Sequence, residues 1–199
     1  MRLIPWVAML LVAACASGGS QDPLSGYEEV DATAILDAPS IETARVAAEN
    51  RAVVERGEYL VELLGCGSCH TDGALFGEPD MSRSLAGSSI GIAYTNPLQI
   101  RNPGIVFPPN ITPDAETGIG NWSDRQIANA VRAGLGRHGA ERILVMPWQG
   151  YARISDADVA AIVGYLRYLE PVSNRVPSNV PAGRPTRHDY VHFGVYRSR

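Results

Sequence analysis

The feature that most constrains this chain is a pair of cysteines followed at once by a histidine. Cys66 and Cys69 are three residues apart, and His70 comes directly after the second cysteine. This spacing is the attachment pattern of a c-type haem, in which each thiol adds to one vinyl group and the histidine ligates the iron. Because residues at i and i+3 lie on one side of a helical turn, both sulfurs can reach the same ring. The motif therefore predicts covalent attachment at Cys66 and Cys69, with His70 as an axial ligand.

Three other roles of a Cys-x-x-Cys-His motif fit this chain less well than haem attachment. A closed zinc site usually needs a second pair of ligands, and no cysteine follows Cys69. A redox dithiol is expected at the start of a helix after a strand, whereas this motif ends a helical pattern. A disulfide between Cys66 and Cys69 would close a loop too short to stabilise the chain much. Haem attachment is favoured, also because the motif follows an export signal.

Residues 1–15 have the pattern of a bacterial lipoprotein signal. Arg2 precedes an apolar run that is shorter than the roughly 20 residues of a membrane span, and the run ends at Ala14-Cys15. A lipidated Cys15 would also explain an otherwise unpaired cysteine in an exported chain. A plain cut between small residues, which would release a soluble periplasmic protein, is the alternative. We expect a protein anchored by lipid on the periplasmic side of a bacterial membrane.

Composition and turn-forming residues divide the rest of the chain into three parts. Residues 16–40, rich in Gly, Ser, Asp and Ala, predict a flexible tether, 41–170 form one domain, and 171–199 are an extended tail containing Pro and Arg. Seventeen basic residues stand against 21 acidic ones, a formal net charge of −4. An acidic chain gives no reason to expect nucleic acid as a partner, since that binding depends on neutralising phosphates.

Helical periodicity flanks the motif on the N-terminal side. Ser40 offers a cap, and residues 41–64 predict one helix with an apolar face. The expected apolar positions are Val46, Val53, Val54, Leu60 and Leu64. Gly57 interrupts this pattern, which indicates either close approach of another helix or a break between two helices.

Two further helices are predicted after the motif. Ser123 caps a helix over 124–133 that Gly134 ends, and Ser155 caps a last helix that ends at Glu170-Pro171. The Gly164-Tyr165 pair on the last helix is a candidate contact for Gly57, because small residues let two helix backbones approach closely.

Residues 71–110 predict a long loop around one haem edge, with β-prone pieces at 90–94 and 105–107. After it, the Pro108-Pro109 pair leaves backbone carbonyls free for other partners. A ligating histidine usually donates its second ring N–H to an acceptor, and the Pro109 carbonyl is the candidate for His70. The Trp122 indole is predicted either to bond a haem propionate or to be an ordinary core side chain.

The second axial position is open to several side chains or to none. Met146 lies in a loop between the last two predicted helices, where it could cover the opposite haem face, although an isolated methionine is more often core filler. Met81 follows the motif too closely for a chain that must travel round the haem. The complete set of candidates is Met81, Met146, His138, His188 and His192.

Taken in order, these strings resemble the class I, monohaem cytochrome c family. The shared strings are a helix with Gly57, the Cys-x-x-Cys-His motif, a Pro-Asn turn, Gly-Ile-Gly-Asn-Trp, Met146-Pro147 and a last helix with Tyr165-Leu166. They are most similar to cytochrome subunits or domains of periplasmic alcohol and aldehyde dehydrogenases. The resemblance implies an all-α cytochrome c fold, with three to five helices around one haem and a short β-hairpin in the long loop.

The resemblance also implies a set of roles. It implies thioethers at Cys66 and Cys69, axial His70 and Met146, a carbonyl near Pro109 on the histidine, and Trp122 toward a propionate. We expect a monohaem carrier that is not an enzyme and passes single electrons from a periplasmic dehydrogenase to a terminal oxidase or another cytochrome. The competing hypotheses are the haem-bearing subunit of a larger dehydrogenase, and a haem enzyme or gas sensor with an open sixth site.

Overall fold

The computed structural model of the chain describes residues 25–31, 35–139 and 145–194. The predicted signal peptide and Cys15 lie outside the described residues. Within them, the five α-helices are α1 Arg51–Leu63, α2 Cys66–His70, α3 Asp124–Ala133, α4 Trp148–Tyr151 and α5 Asp156–Tyr168. The three strands are β1 Gly91–Ala93, β2 Ile105–Val106 and β3 Tyr190–Val191. None of the helices described here has both the length and the apolar character needed to cross a bilayer.

The packing of α1 against α5 forms the centre of the domain. Gly57 is buried at this contact, where a Cβ atom would lie 2.1 Å from the Ala161 carbonyl oxygen and 2.6 Å from Tyr165 Cβ. Close approach of a second helix is therefore the correct reading of Gly57. Tyr165 is fully buried, and its hydroxyl donates to the Pro39 carbonyl at 2.6 Å. The chain that precedes α1 is thus tied to α5 as well.

The start of the first helix differs from the prediction. Ser40 does not cap it, and residues 41–50 instead form two separate 3₁₀ turns, Thr43–Arg45 and Ala48–Asn50. The extended backbone of Ala47, with φ −55° and ψ 140°, interrupts the helical path before α1. Val53 is 44 % exposed and does not belong to the core face, because it is one residue, and so about 100° around the helix, away from buried Val54.

The helix termini predicted after the motif are confirmed, except that α5 ends at Tyr168, two residues before the predicted Glu170. Ser123 accepts from Gln126 N while the Gln126 side chain accepts from Ser123 N, which completes a capping box, and Gly134 ends α3 in the left-handed conformation. Ser155 accepts from Asp158 N at the start of α5. Local sequence signals thus place the two helices that flank the predicted methionine loop.

A small sheet accompanies the helices, so the all-α description covers only the helical core. Strands β1 and β2 pair antiparallel, with Ile92 opposite Val106, as expected of the two β-prone pieces. Strand β3 adds to β1 in parallel, with Ile92 opposite Val191. Residues 180 and 190–191, which follow α5, therefore pair with strands of the domain.

Candidate haem-attachment site

The Cys-x-x-Cys-His motif forms one short helix of its own. Gly65 adopts the left-handed conformation, φ 66°, between α1 and α2, and this turns the chain so that Cys66–His70 begins a new direction. Both cysteines are free thiols in the structure and half-buried. The i, i+3 geometry predicted for thioether attachment is therefore present in the structure.

The two cysteines pack against two different apolar clusters. Cys66 contacts the larger cluster, built around α1 and α5, whose buried members include Leu60, Ile127 and Leu166. Cys69 contacts a smaller cluster that consists of Leu75, Ile90, Ile92 and Val191. A porphyrin attached at both sulfurs would contact apolar side chains of both clusters, which is the environment that an apolar ring requires.

Burial keeps both cysteines in the neutral state. Desolvation, followed by the nearby charge of Cys69, raises the pKa of the Cys66 thiol to about 12. Desolvation also raises the pKa of Cys69. A thioether carries no charge at any pH, so the surroundings that disfavour a thiolate suit the product of haem attachment.

His70 makes the predicted hydrogen bond. Its Nδ1 lies 2.7 Å from the Pro109 carbonyl oxygen, and the two residues are 39 positions apart in the chain. The His70 carbonyl in turn accepts from Gly87 N at 2.7 Å. With Nδ1 donating to Pro109, Nε2 is the ring nitrogen that would ligate an iron atom.

The loop that carries Met146 reaches the same side of the domain as the motif. Val145 packs against the cluster that Cys69 contacts, and Met146 is half-buried beside it. Helix α4 begins two residues after Met146. Its Tyr151 hydroxyl donates, at 3.2 Å, to the carbonyl of Leu64, which lies just before the motif. Burial, then the proximity of the two cysteines, raises the pKa of Tyr151. Residues 145–151, at the end of the predicted methionine loop, are therefore anchored next to the cysteines.

The other candidate axial ligands lie in different surroundings. Met81 is 48 % exposed in a 3₁₀ turn of the 71–110 loop. His138 is exposed, and His188, also exposed, packs its ring edge against Phe107 at 5.3 Å between centroids. His192 is half-buried, and desolvation lowers its pKa.

Trp122 packs against the larger cluster at the start of α3. Its backbone carbonyl accepts a hydrogen bond from the Arg167 guanidinium of α5, which also bonds Asp124 at 3.0 Å. These contacts are those expected if Trp122 is an ordinary core side chain. A hydrogen bond from its indole to a haem propionate stays a prediction.

A zinc site and a redox dithiol, the other roles of the motif, each require a specific arrangement. The described part of the chain contains no group of three or more His, Cys, Asp or Glu side chains placed to hold a metal ion, which a zinc site would need. The motif follows a helix and not a strand, unlike the position expected for a redox dithiol.

Sequence reasoning missed two buried polar residues beside the site, Asn110 and Thr112. They are 2 % and 1 % exposed, and Asn110 directly follows the Pro108-Pro109 pair. The available signal was an asparagine in a turn that two prolines leave without N–H donors, because such a turn needs a side chain to hold it.

The sequence comparison decides the family. The Cytochrome c family model matches residues 54–170, more than half of the chain. The chain belongs to the cytochrome c family. Proteins of this family carry covalently bound haem c, and the donor set of Cys66, Cys69 and His70, with Nδ1 held by Pro109, fits that group.

Several curated relatives are cytochrome subunits of dehydrogenases, and another is a diheme cytochrome c-type protein. The chain is 34 % identical over 146 residues to the cytochrome c subunit of the quinone alcohol dehydrogenase of Gluconobacter oxydans (strain 621H), covering 71 % of this chain and 27 % of that subunit. It is 35 % identical to the gluconate 2-dehydrogenase cytochrome c subunit of Pantoea cypripedii, covering 62 % of this chain and 25 % of that subunit. It is 33 % identical to the fructose dehydrogenase cytochrome subunit of Gluconobacter japonicus, covering 60 % of this chain and 22 % of that subunit. The chain thus spans about a quarter of the length of these relatives.

Proposed function

We propose that this cytochrome c carries single electrons, through one haem c, from a periplasmic dehydrogenase to a terminal oxidase or another cytochrome. The observation that carries the proposal is the motif on one helical turn with His70 Nδ1 bonded to the Pro109 carbonyl at 2.7 Å. The sequence contains one such motif, which supports a single haem. When bound, haem c supplies an iron centre that takes up and releases one electron.

The protein's own residues would keep the same ligands on the iron in both of its oxidation states. Cys66 and Cys69 would fix it covalently, His70 and Met146 would supply the two axial bonds, and Trp122 would stand near a propionate. Histidine and methionine together raise the potential of a haem, and two filled axial positions leave little room for oxygen or peroxide. The chain would therefore transfer electrons without binding a substrate of its own.

Carbon monoxide tests whether Met146 fills the sixth position. We expect the reduced wild-type protein to keep its spectrum when carbon monoxide is added, because the site is occupied. Met146→Ala opens the site, so its reduced spectrum should change on addition of the gas. Met81→Ala is the matched control, since Met81 is exposed, and it should behave as the wild type. A wild-type protein that binds carbon monoxide readily contradicts the carrier and favours an open-site haem enzyme or gas sensor.

We further propose that Cys15 is lipidated and anchors the domain on the periplasmic side of the membrane through the 16–40 tether. Several acyl chains, each contributing about 0.8 kcal/mol per buried CH₂, would hold it firmly. Mass spectrometry of protein from the membrane fraction should find an acylated Cys15 as the first residue, and Cys15→Ser should release the protein from that fraction. A soluble mature chain beginning after Ala16 would rule out the anchor.

The dehydrogenase subunits among the relatives favour one second candidate. In it, the chain is the haem-bearing subunit of a larger dehydrogenase complex rather than a mobile carrier. The donor and the one-electron role stay the same, but a dehydrogenase would then remain bound to the chain throughout purification from membranes.

A further inference from the structure

The segment that follows α5, residues 171–180, runs back along the turn that binds His70. It lies beyond the residues that the family model matches, 54–170. We propose that this segment, here called the proximal strap, fixes the Pro109 carbonyl against His70 and thereby sets the reduction potential of the haem. The inference rests on the proposed function, in that His70 must be an iron ligand.

The turn cannot hold its own position. Pro108 and Pro109 have no N–H groups, so neighbouring groups must supply every donor that fixes their carbonyls. The Pro108 carbonyl accepts from Ser88 N at 3.0 Å, and the Pro109 carbonyl faces His70 Nδ1. The position of the Pro109 carbonyl therefore depends on what holds the next residue, Asn110.

Asn110 joins the turn to the strap through a fully used amide group. Its Nδ2 donates to the Val172 carbonyl at 2.7 Å and to Thr117 Oγ1 at 3.1 Å. Its Oδ1 accepts from Thr112 N at 2.9 Å and from Thr112 Oγ1 at 2.8 Å. Two donors and two acceptor positions are the whole capacity of an asparagine amide, and Asn110 is buried, so losing any partner leaves a costly unsatisfied group.

Thr112 and Thr117 extend the connection to the strap backbone. Thr112 Oγ1 accepts from Val172 N at 3.1 Å, and Thr117 Oγ1 accepts from Asn174 N at 2.9 Å. The strap thus replaces the regular backbone pairing that prolines deny to this turn.

The strap also touches the segment that holds the His70 backbone. Asn174 Nδ2 donates to the Ala86 carbonyl at 2.9 Å, next to Gly87, whose N–H bonds the His70 carbonyl. A Cβ atom on Gly87 would lie 2.6 Å from Val176 Cγ1 and 2.7 Å from Asn110 N. The strap, residue 87 and the Pro109-Asn110 turn are therefore packed in direct contact, and both the ring and the backbone of His70 are bonded to this assembly.

The far end of the strap fixes the approach to the turn. Val180 and Ile105 exchange two backbone hydrogen bonds, at 2.8 and 2.9 Å, and Asn179 Oδ1 accepts from Phe107 N at 3.0 Å. Residues 105, 107 and 110 are therefore all bonded to residues 172–180.

By fixing the Pro109 carbonyl, the strap also influences the electronic state of His70. A hydrogen-bond acceptor on the second ring nitrogen of a ligating histidine fixes the ring and raises its basicity, and such bonds affect the reduction potential of a haem. If the strap loosens, the bond from His70 Nδ1 to Pro109 weakens, and the less basic imidazole stabilises ferric iron less. The reduction potential should therefore rise.

Asn174→Ala tests the strap in the purified haem protein, because it removes the bond to Ala86, and a longer bond of 3.4 Å that Asn174 Oδ1 accepts from Arg83, without touching the turn itself. Thr112→Val, which removes the bond from Val172 N, is the second and more severe variant. Asn121→Ala is the matched control, since its Nδ2 also donates to a backbone carbonyl, that of Ala115 at 2.7 Å, but on an exposed turn. The readouts are the reduction potential and, by NMR on the reduced protein, hydrogen exchange of His70 Nδ1–H.

We expect Asn174→Ala to exchange His70 Nδ1–H about tenfold faster, as the loss of one hydrogen bond predicts, and to raise the potential. Asn121→Ala should change neither. Unchanged exchange and potential in Asn174→Ala, with only a lower melting temperature, overturn the strap and leave the carrier intact. A wild-type protein without covalent haem, or with a His70 ring that carries no spectral mark of iron ligation, overturns the proposed function itself and the strap's effect on potential with it.

Discussion

Replacing Gly57 with alanine should lower the unfolding free energy by about 3 kcal/mol or more, the upper end of the cost of overpacking a core. The new Cβ would lie 2.1 Å from the Ala161 carbonyl oxygen and 2.6 Å from Tyr165 Cβ. These are backbone and Cβ atoms, which cannot rotate away, so α1 and α5 must separate. Because total stabilities are about 5–15 kcal/mol, such a loss is a large share of the whole.

Denaturant unfolding, followed by helical circular dichroism, measures this loss. Gly164→Ala is the matched control, because Gly164 lies inside α5 on the other side of the same helix contact, yet its Cβ would meet only Val53 Cγ1 at 3.5 Å. We expect this control to be unchanged or more stable by up to about 1 kcal/mol, the gain in helix propensity. Equal midpoints for Gly57→Ala and wild type would mean that the two helices do not cross this closely.

The part of the site that could be predicted is the part that local covalent spacing determines. Cys66, Cys69 and His70 lie within five residues of one short helix, and the caps at Ser123 and Ser155 act within three residues of themselves. The Pro109 acceptor was also predictable, because two prolines leave carbonyls without the usual backbone partners. In each case, the physical cause lies within a few residues of its effect.

What could not be predicted depends on pairing across long stretches of chain. Strand β3 has two residues and pairs with β1 about a hundred positions earlier, so it leaves no periodic pattern of its own. The Val172 carbonyl is 62 positions from Asn110, and the residues near Asn110 in the sequence do not indicate that partner. The predicted helix over 41–64 was wrong at its start, where local helix propensity was misleading. Tertiary packing overrides the strong helix formers there, since Ala47 is extended and Val46 is buried.

Replacing both cysteines with alanine should abolish covalent haem attachment. Among the described residues, Cys66 and Cys69 are the two cysteines, and they lie on one helical turn next to His70, each beside its own apolar cluster. Haem that still binds the double variant should be extractable by acidified acetone, whereas wild-type haem should stay with the protein. Mass spectrometry should show a single haem on the wild-type chain and none on the double variant.

Ser68→Ala is the matched control for the cysteine variants, because it alters the same turn and keeps both sulfurs. It should retain its haem through acid extraction. Each single variant, Cys66→Ala or Cys69→Ala, should keep one thioether, with a reduced spectrum shifted by the vinyl group left unsaturated. The pair of clusters gives a second expectation: without the ring that would contact both, each cluster exposes apolar surface to water, and the double variant should unfold at a lower temperature than either single variant. Covalent haem on the double variant would place the attachment elsewhere and end the assignment of these two sulfurs.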